Sequence, residues 1–295
     1  MKKFFAIACT VVICALVCSC CANQGGAETQ PEIKVVEENI PSTILDSVMK
    51  ANIIVPQSFY ENPEQTYPVL YLLHGLSDDH NAWINLGKAV EVYSNQLAAG
   101  NCCEMIIVCP QAGCNDINGF HAGYFNVDGW SYEDYFFNEL MPYVEAKYRI
   151  RSEKKCRAIA GLSMGGGGTT VYAQHHPELF SLAYPMSAWM YNGGLIEGAS
   201  ENLRLTVESV DANNTVEFVR NADESVVEAL RTLLWYVECG DDDFLFRKNI
   251  EFYYAMQDRH IPCELVIRDG VHDWNFWNTA LYNTLKLATF FFTKE

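Results

Sequence analysis

The sequence predicts an α/β fold, with a mainly parallel central sheet and helices on both faces, on three observations. Short, largely apolar runs recur along the chain, YPVLYLL at 67–73, MIIVC at 105–109 and LLWYVEC at 233–239 among them. Runs of that kind are what strands buried on both faces look like. Stretches with helical spacing separate them, and alternation of strand and helix favours parallel pairing through crossovers. The third observation is RAIAGLSMGGGGT at 157–169, an apolar run that passes through a glycine-bracketed serine into a second regular segment. G-x-S-x-G between a strand and a helix is a nucleophile elbow, in which the serine occupies strained backbone and side chains two residues either side would collide.

The elements follow in order. Residues 1–19 begin with Lys2 and Lys3, continue as an apolar run over 4–17 and end in small residues. This is the pattern of an export signal, and the run is short for a membrane span. Val17-Cys18-Ser19-Cys20 resembles a bacterial lipobox, so Cys20 is the expected lipidated N-terminus. Residues 20–33 would then form a flexible tether, and 34–295 one folded domain. The protein is expected to be exported and lipid-anchored in the bacterial cell envelope, at the periplasm or cell surface, or otherwise secreted. The anchor is its only expected membrane contact.

Residues 34–42 and 46–55 read as an antiparallel opening pair, and 67–73 as a buried strand ending in His74-Gly75. Helical spacing covers 82–99, a strand covers 105–109, and a polar, aromatic loop spans 111–129. An amphipathic helix is expected over 132–148. The elbow strand and its glycine-rich helix run to about 176, followed by a strand at 182–187. Residues 188–224 have no clean period and read as an inserted lid or wall. A helix at 225–232, a strand at 233–239, a helix at 244–259, a strand at 263–268 and a helix at 279–292 complete the chain. With no internal repeat or interior linker, one domain is the expected count.

At 295 residues and 49% hydrophobic side chains the chain can bury a large core. Its net charge of −17 argues against nucleic acid as a partner. Five of the twelve cysteines lie within the first 21 residues, and the other seven have no paired zinc-ligand spacing. Most of those seven are expected to act as small buried apolar residues, and no disulfide is assignable. There is no H-E-x-x-H motif, and Gly119 stands at the wrong offset for a calcium loop at 115–119. Neither a metal nor another cofactor is expected.

A serine hydroxyl needs an adjacent base, oriented in turn by a carboxylate, to act as a nucleophile. On a parallel α/β sheet such groups follow strand ends in the order Ser, acid, His. After Ser163 come His175 and His176 on the departing helix, His260 before Ile261-Pro262, and His272 directly after ELVIR. His272 is the expected base. The strand at 233–239 empties into Gly240-Asp241-Asp242-Asp243, and one of these aspartates is the expected orienter. An oxyanion would meet the N–H of Met164 and that of Leu76, in the loop after 67–73. His74 is expected to hold that loop in place.

With these segments assembled, Leu72-Leu73-His74-Gly75, Ala160-Gly161-Leu162-Ser163-Met164-Gly165-Gly166, Gly240-Asp241-Asp242-Asp243-Phe244 and Gly270-Val271-His272-Asp273-Trp274 together resemble one family of α/β-hydrolases. It comprises esterase D, feruloyl and acetyl-xylan esterases, small-ester esterases and mycolyltransferases, and the likeness covers about 34–295. The resemblance implies an α/β-hydrolase fold and a serine esterase activity. It selects Asp243 as the triad acid, because the fourth residue of the family's G-x-x-D-F pattern has that role. It also implies that Asp273 and Trp274 shape the site without joining the triad.

Aromatic residues after strand ends are candidate cleft walls: Trp83, His121, Tyr124, Trp130, Trp189 with Tyr191, and Trp274. Such walls suit sugar faces or a feruloyl ring. The expected partner is a small-molecule or polysaccharide-linked ester, such as a feruloyl or acetyl group on plant polysaccharide. Two other readings accommodate the same residues: a mycolyl-type acyltransferase, which passes the acyl group to a sugar hydroxyl, and a catalytically silent carbohydrate-binding surface lipoprotein.

Overall fold

The computed structural model describes residues 32–113, 123–194 and 196–294. The expected signal at 1–19, Cys20, nearly all of the tether at 20–33 and His121 lie outside the described residues.

Eight strands form one sheet: β1 (Ile33–Ser42), β2 (Ser47–Pro56), β3 (Val69–Leu73), β4 (Ile106–Pro110), β7 (Arg157–Leu162), β8 (Leu182–Met186), β9 (Leu234–Gly240) and β10 (Cys263–Arg268). The short β5 (Asn126–Val127) and β6 (Trp130–Ser131) pair separately. The large sheet runs β1-β2-β4-β3-β7-β8-β9-β10. Pairing is antiparallel from β1 to β4 and parallel from β4 to β10. This is the architecture of an α/β-hydrolase: a mostly parallel sheet covered by helices.

Every residue of β3, β4, β7 and β8 is buried, which accounts for their apolar composition, broken only by Arg157, which pairs with Glu145 at the start of β7. One face packs on helices Ala89–Ala98 and Trp274–Phe292 through Val92, Tyr93, Leu281 and Leu285. The opposite face packs on helices Met164–His175 and Phe246–Asp258 through Val171, Tyr172, Phe252 and Met256. The six described cysteines are free thiols, five of them buried and Cys103 partly so.

The strand order places the site. From β3 the chain moves outward to β4, then returns across β3 to β7, so the winding reverses between β3 and β7. Ligands on open α/β sheets bind at the carboxyl ends of strands beside such a reversal. His74 follows β3 there, and Ser163 follows β7.

Several boundaries differ from expectation for identifiable reasons. The helix expected over 82–99 divides into Ala82–Asn85 and Ala89–Ala98, because Lys88 takes a left-handed conformation (φ 52°). The last helix starts at Trp274, because the Asp273 carboxylate accepts the Phe276 N–H at 2.9 Å and caps it. Residues 188–224 contain helices Glu201–Ala212 and Thr215–Asn221, capped by the side chains of Ser200 and Asn214. The segment expected as one helix over 132–148 carries a π-helical stretch, Phe136–Leu140, in its middle.

Candidate active site

Ser163 follows β7 and caps helix Met164–His175 with φ 53° and ψ −116°. A non-glycine residue in such backbone costs on the order of 1–3 kcal/mol, which the surroundings must offset. Three backbone hydrogen bonds hold it: Ser163 N–H donates to Met186 O at 2.9 Å, and Ser163 O accepts from Gly167 N–H (3.0 Å) and Trp189 N–H (2.9 Å). The glycines supply the space. A Cβ at Gly161 would stand 2.5 Å from Gly165 O, and one at Gly165 would stand 2.5 Å from His74 O. Side chains at either position would push the elbow off the end of β3.

His272 and Asp243 reach the serine from two neighbouring strand ends. His272 Nε2 lies 2.9 Å from Ser163 Oγ, and His272 Nδ1 lies 2.8 Å from Asp243 Oδ2. Asp243 Oδ1 accepts the Leu245 N–H at 2.7 Å, so both carboxylate oxygens are engaged. Burial pushes this carboxyl's pKa up, but the hydrogen bonds from His272 and Leu245 outweigh it and hold the group below its ordinary value. The carboxylate is therefore ionised at neutral pH and can accept from the imidazole. The His272 ring is packed between Phe244 (centroids 4.4 Å apart) and the edge-on Trp277 (4.8 Å).

The loop after β3 lies against the same serine. A Cβ at Gly75 would sit 3.7 Å from Ser163 Cβ. His74 is buried beneath it; its Nδ1 pairs with Gly75 O (2.8 Å) and its Nε2 with the Ala112 N–H (3.0 Å). That network assigns a neutral ring with the proton on Nδ1, and burial lowers the His74 pKa to about 4. The buried Tyr124 hydroxyl adds a second clamp, accepting the His74 N–H at 2.8 Å and donating to His74 O at 3.1 Å.

A cavity of about 380 Å³ opens beside Ser163, with walls from Leu76, Trp189, Ile196, Leu203, Phe244 and Lys248. Its volume falls in the usual range for small-molecule pockets. A second, smaller cavity of about 230 Å³ shares Leu76 and Leu203 with it and adds Ser77, Ser200 and Thr206.

The expected aromatic walls are placed unevenly. Trp189 lines the cavity beside Ser163. Trp83, Tyr124 and Trp130 do not, which corrects the expectation: each is 1% exposed or less. Trp83 donates its Nε1–H to Leu73 O (3.0 Å), and Trp130 stacks on Tyr132. Trp274 is half-buried and packs edge-on against Trp83 and Trp277 beneath the site. Large aromatics at strand ends here fill the core that supports the cleft. Sequence reasoning missed Leu203 and Lys248 as walls. Leu203 lies in the segment where helical spacing went unrecognised, and Lys248 faces the cavity only because helix Phe246–Asp258 meets the loop at 191–194.

Known proteins resemble this chain in sequence and fold. A family model described as "Putative esterase" matches residues 42–288. A solved ferulic acid esterase is 43% identical, covers 89% of this chain and 100% of its own, and superposes with a TM-score of 0.85. An endo-1,4-beta-xylanase/feruloyl esterase of Xylanibacter ruminicola is 32% identical over 133 residues, 44% of this chain; the aligned part spans only 18% of that longer protein. An acetyl esterase of Caldicellulosiruptor saccharolyticus is 25% identical over 233 residues, 74% of this chain and 81% of its own. The match over residues 42–288 shows that this chain belongs to the esterase family of α/β-hydrolases.

Proposed function

We propose that the chain is a serine carboxylic ester hydrolase that forms an acyl-enzyme on Ser163 and acts on acylated carbohydrate, feruloyl or acetyl, or on small acyl esters. The observation that carries this reading is the continuous chain Ser163 Oγ, His272 Nε2, His272 Nδ1 and Asp243 Oδ2, with contacts of 2.9 and 2.8 Å.

The chemistry follows from the donors and acceptors. His272 keeps its proton on Nδ1, where the N–H donates a hydrogen bond to ionised Asp243, and this leaves the Nε2 lone pair facing Ser163 Oγ. As Oγ attacks the ester carbonyl carbon, its proton passes to Nε2, and Asp243 stabilises the imidazolium. The carbonyl oxygen becomes an oxyanion, for which the N–H groups of Leu76 and Met164 are the proposed donors. When the tetrahedral adduct collapses, the C–O bond to the alcohol breaks and Nε2–H protonates the departing oxygen. Water then attacks the acyl-enzyme by the same route and releases the acid.

The substrate side rests on the cavity and the relatives. The walls around Ser163 are largely apolar and include Trp189 and Phe244, which suits an aryl or short acyl group. Relatives named feruloyl esterase and acetyl esterase support the same two acyl classes. The test is a panel of p-nitrophenyl acetate and butyrate, methyl ferulate and acetylated xylan, with fluorophosphonate labelling. Turnover and labelling are expected in the parent and absent in Ser163→Ala. A folded Ser163→Ala protein with parental turnover would sink the mechanism.

A further inference from the structure

Lys248 is the one charged side chain on the wall of the Ser163 cavity among the described residues. Its surroundings show that it is more than a solvated surface lysine. Its Nζ donates to Asn192 O at 3.1 Å and stands 5.1 Å from the centre of the Tyr191 ring. An ammonium group carries three N–H donors, and Asn192 O engages one.

The backbone at 192–194 is itself fastened down. Asp211, on helix Glu201–Ala212, accepts the N–H groups of Asn192 (2.6 Å), Gly193 (2.9 Å) and Gly194 (3.0 Å). Tyr191 donates its hydroxyl to Glu251 at 2.5 Å. Lys248 therefore rests on a strap held from two helices, so its position is set before any substrate arrives. Burial lowers its pKa, while the charges of Asp211 and Glu251 act in the opposite direction. With two carboxylates already nearby, a neutral hydrogen-bond acceptor suits this cation better than a further anion.

We infer that Lys248 is a specificity-determining residue, selecting acyl groups that are apolar along most of their length and carry a neutral oxygen acceptor, of the phenol type, remote from the ester. This rests on the proposed esterase reading and deepens it: Ser163 cuts the ester, the apolar walls hold the acyl body, and Lys248 donates to the remote oxygen. A plain aryl acyl group would bury the ammonium without a new partner, and burying a charge uncompensated is unfavourable. Discrimination by a hydrogen bond to a charged group is typically about 10-fold or more.

The experiment compares kcat/KM for methyl 4-hydroxycinnamate and methyl cinnamate in the parent, in Lys248→Met and in Lys248→Gln. Both esters are read on the same preparation, so their ratio is independent of how much of a variant is folded. The expected parental ratio is about 10 in favour of the hydroxylated ester, falling to about 1 in Lys248→Met. Lys248→Gln, which keeps a donor, should restore part of the preference. A parental ratio near 1, or one unchanged in Lys248→Met, overturns the inference. Preference for methyl 4-carboxycinnamate over the phenol overturns it as well, since the site would then read an anion. Hydrolysis of p-nitrophenyl acetate separates the two levels. If acetate is cleaved through Ser163 while the cinnamate ratio is flat, only the role of Lys248 fails; if no ester is cleaved, the esterase reading fails with it.

Discussion

Gly270 bonds to Asp241 through its N–H and to the next residue through its carbonyl, which brings the loops after β9 and β10 into register: Asp241 Oδ1 accepts the Gly270 N–H at 3.1 Å, and Gly270 O accepts the Asp242 N–H at 3.1 Å. A Cβ at Gly240 would stand 2.2 Å from Gly270 O, so the approach itself requires glycine. Three adjacent aspartates thereby have three situations. Asp241 clamps the loop that carries His272, Asp242 contributes its backbone N–H, and Asp243 meets the imidazole. Asp243→Asn should lower kcat by about 10⁴, as loss of the orienting carboxylate does in serine hydrolases. Asp241→Asn should cost no more than about 10-fold through a loosened loop, and Asp242→Asn should lie within about 2-fold of the parent. Steady-state kinetics on p-nitrophenyl acetate distinguishes the three, and equal losses would refute the division.

His74 makes stability depend on pH below neutrality. In the folded chain its pKa is lowered from 6.5 to about 4 by burial, so the folded state keeps the ring neutral where the unfolded chain binds a proton. The stabilisation is present above pH 6.5 and is lost progressively as pH falls towards 4. Between pH 7 and 4.5 this one group accounts for about 2.5 kcal/mol. Urea unfolding at the two pH values should show a smaller acid loss in His74→Gln by about that amount. An identical pH dependence in both proteins would show that the ring is charged in the fold.

The Tyr124 hydroxyl is the other support of the loop at 74–76, and its removal should be felt at the site. In Tyr124→Phe the buried His74 N–H and C=O lose a shared partner, which costs about 1–3 kcal/mol of stability. The loop should also hold its N–H groups less firmly near Ser163. We expect kcat to fall about 10-fold with KM within about 2-fold, because the oxyanion forms only after substrate has bound. A rise in KM with kcat unchanged would instead place Tyr124 in ground-state binding.

Much of this was legible in the sequence because two physical constraints print strongly. Strands buried on both faces must be apolar except where a buried charge is paired, as Arg157 is in β7 and Glu238 in β9, so β3, β4, β7 and β9 show as largely apolar runs. A parallel sheet delivers its strand ends to one edge, so Ser163, His272 and the run Asp241 to Asp243 can be assembled from order, while the family resemblance is needed to select Asp243, which the structure places on His272. The cleft wall has no such print. Trp83, Tyr124 and Trp130 have the same composition and strand-end positions as Trp189, and only packing decides which ring meets the cavity. Lys248 touches Asn192 across 56 positions of sequence, a distance over which local pattern carries nothing. The helix over 201–212 was hidden because its apolar stripe, Leu203, Val207 and Val210, is thin and set among polar and charged residues.

Gly165 offers a sharp test of the elbow, because its hydrogen atoms face main chain rather than side chain. A methyl group there would lie 2.5 Å from His74 O and 2.6 Å from Leu73 O, and neither can swing aside as a flexible side chain would. Either helix Met164–His175 shifts away from β3 or the loop at 74–76 moves outward. Both separate the Met164 N–H from the Leu76 N–H, the pair proposed to share the oxyanion. Gly165→Ala should therefore lose about 1–3 kcal/mol of stability by overpacking and about 100-fold or more in kcat, with fluorophosphonate labelling slowed in parallel. Gly168→Ala makes its closest contacts with the Tyr124 ring, at 2.8–2.9 Å, and should lose stability with a smaller effect on kcat. Thermal melts and labelling rates on the two variants check this, and the elbow account fails if Gly168→Ala proves the more damaging to catalysis.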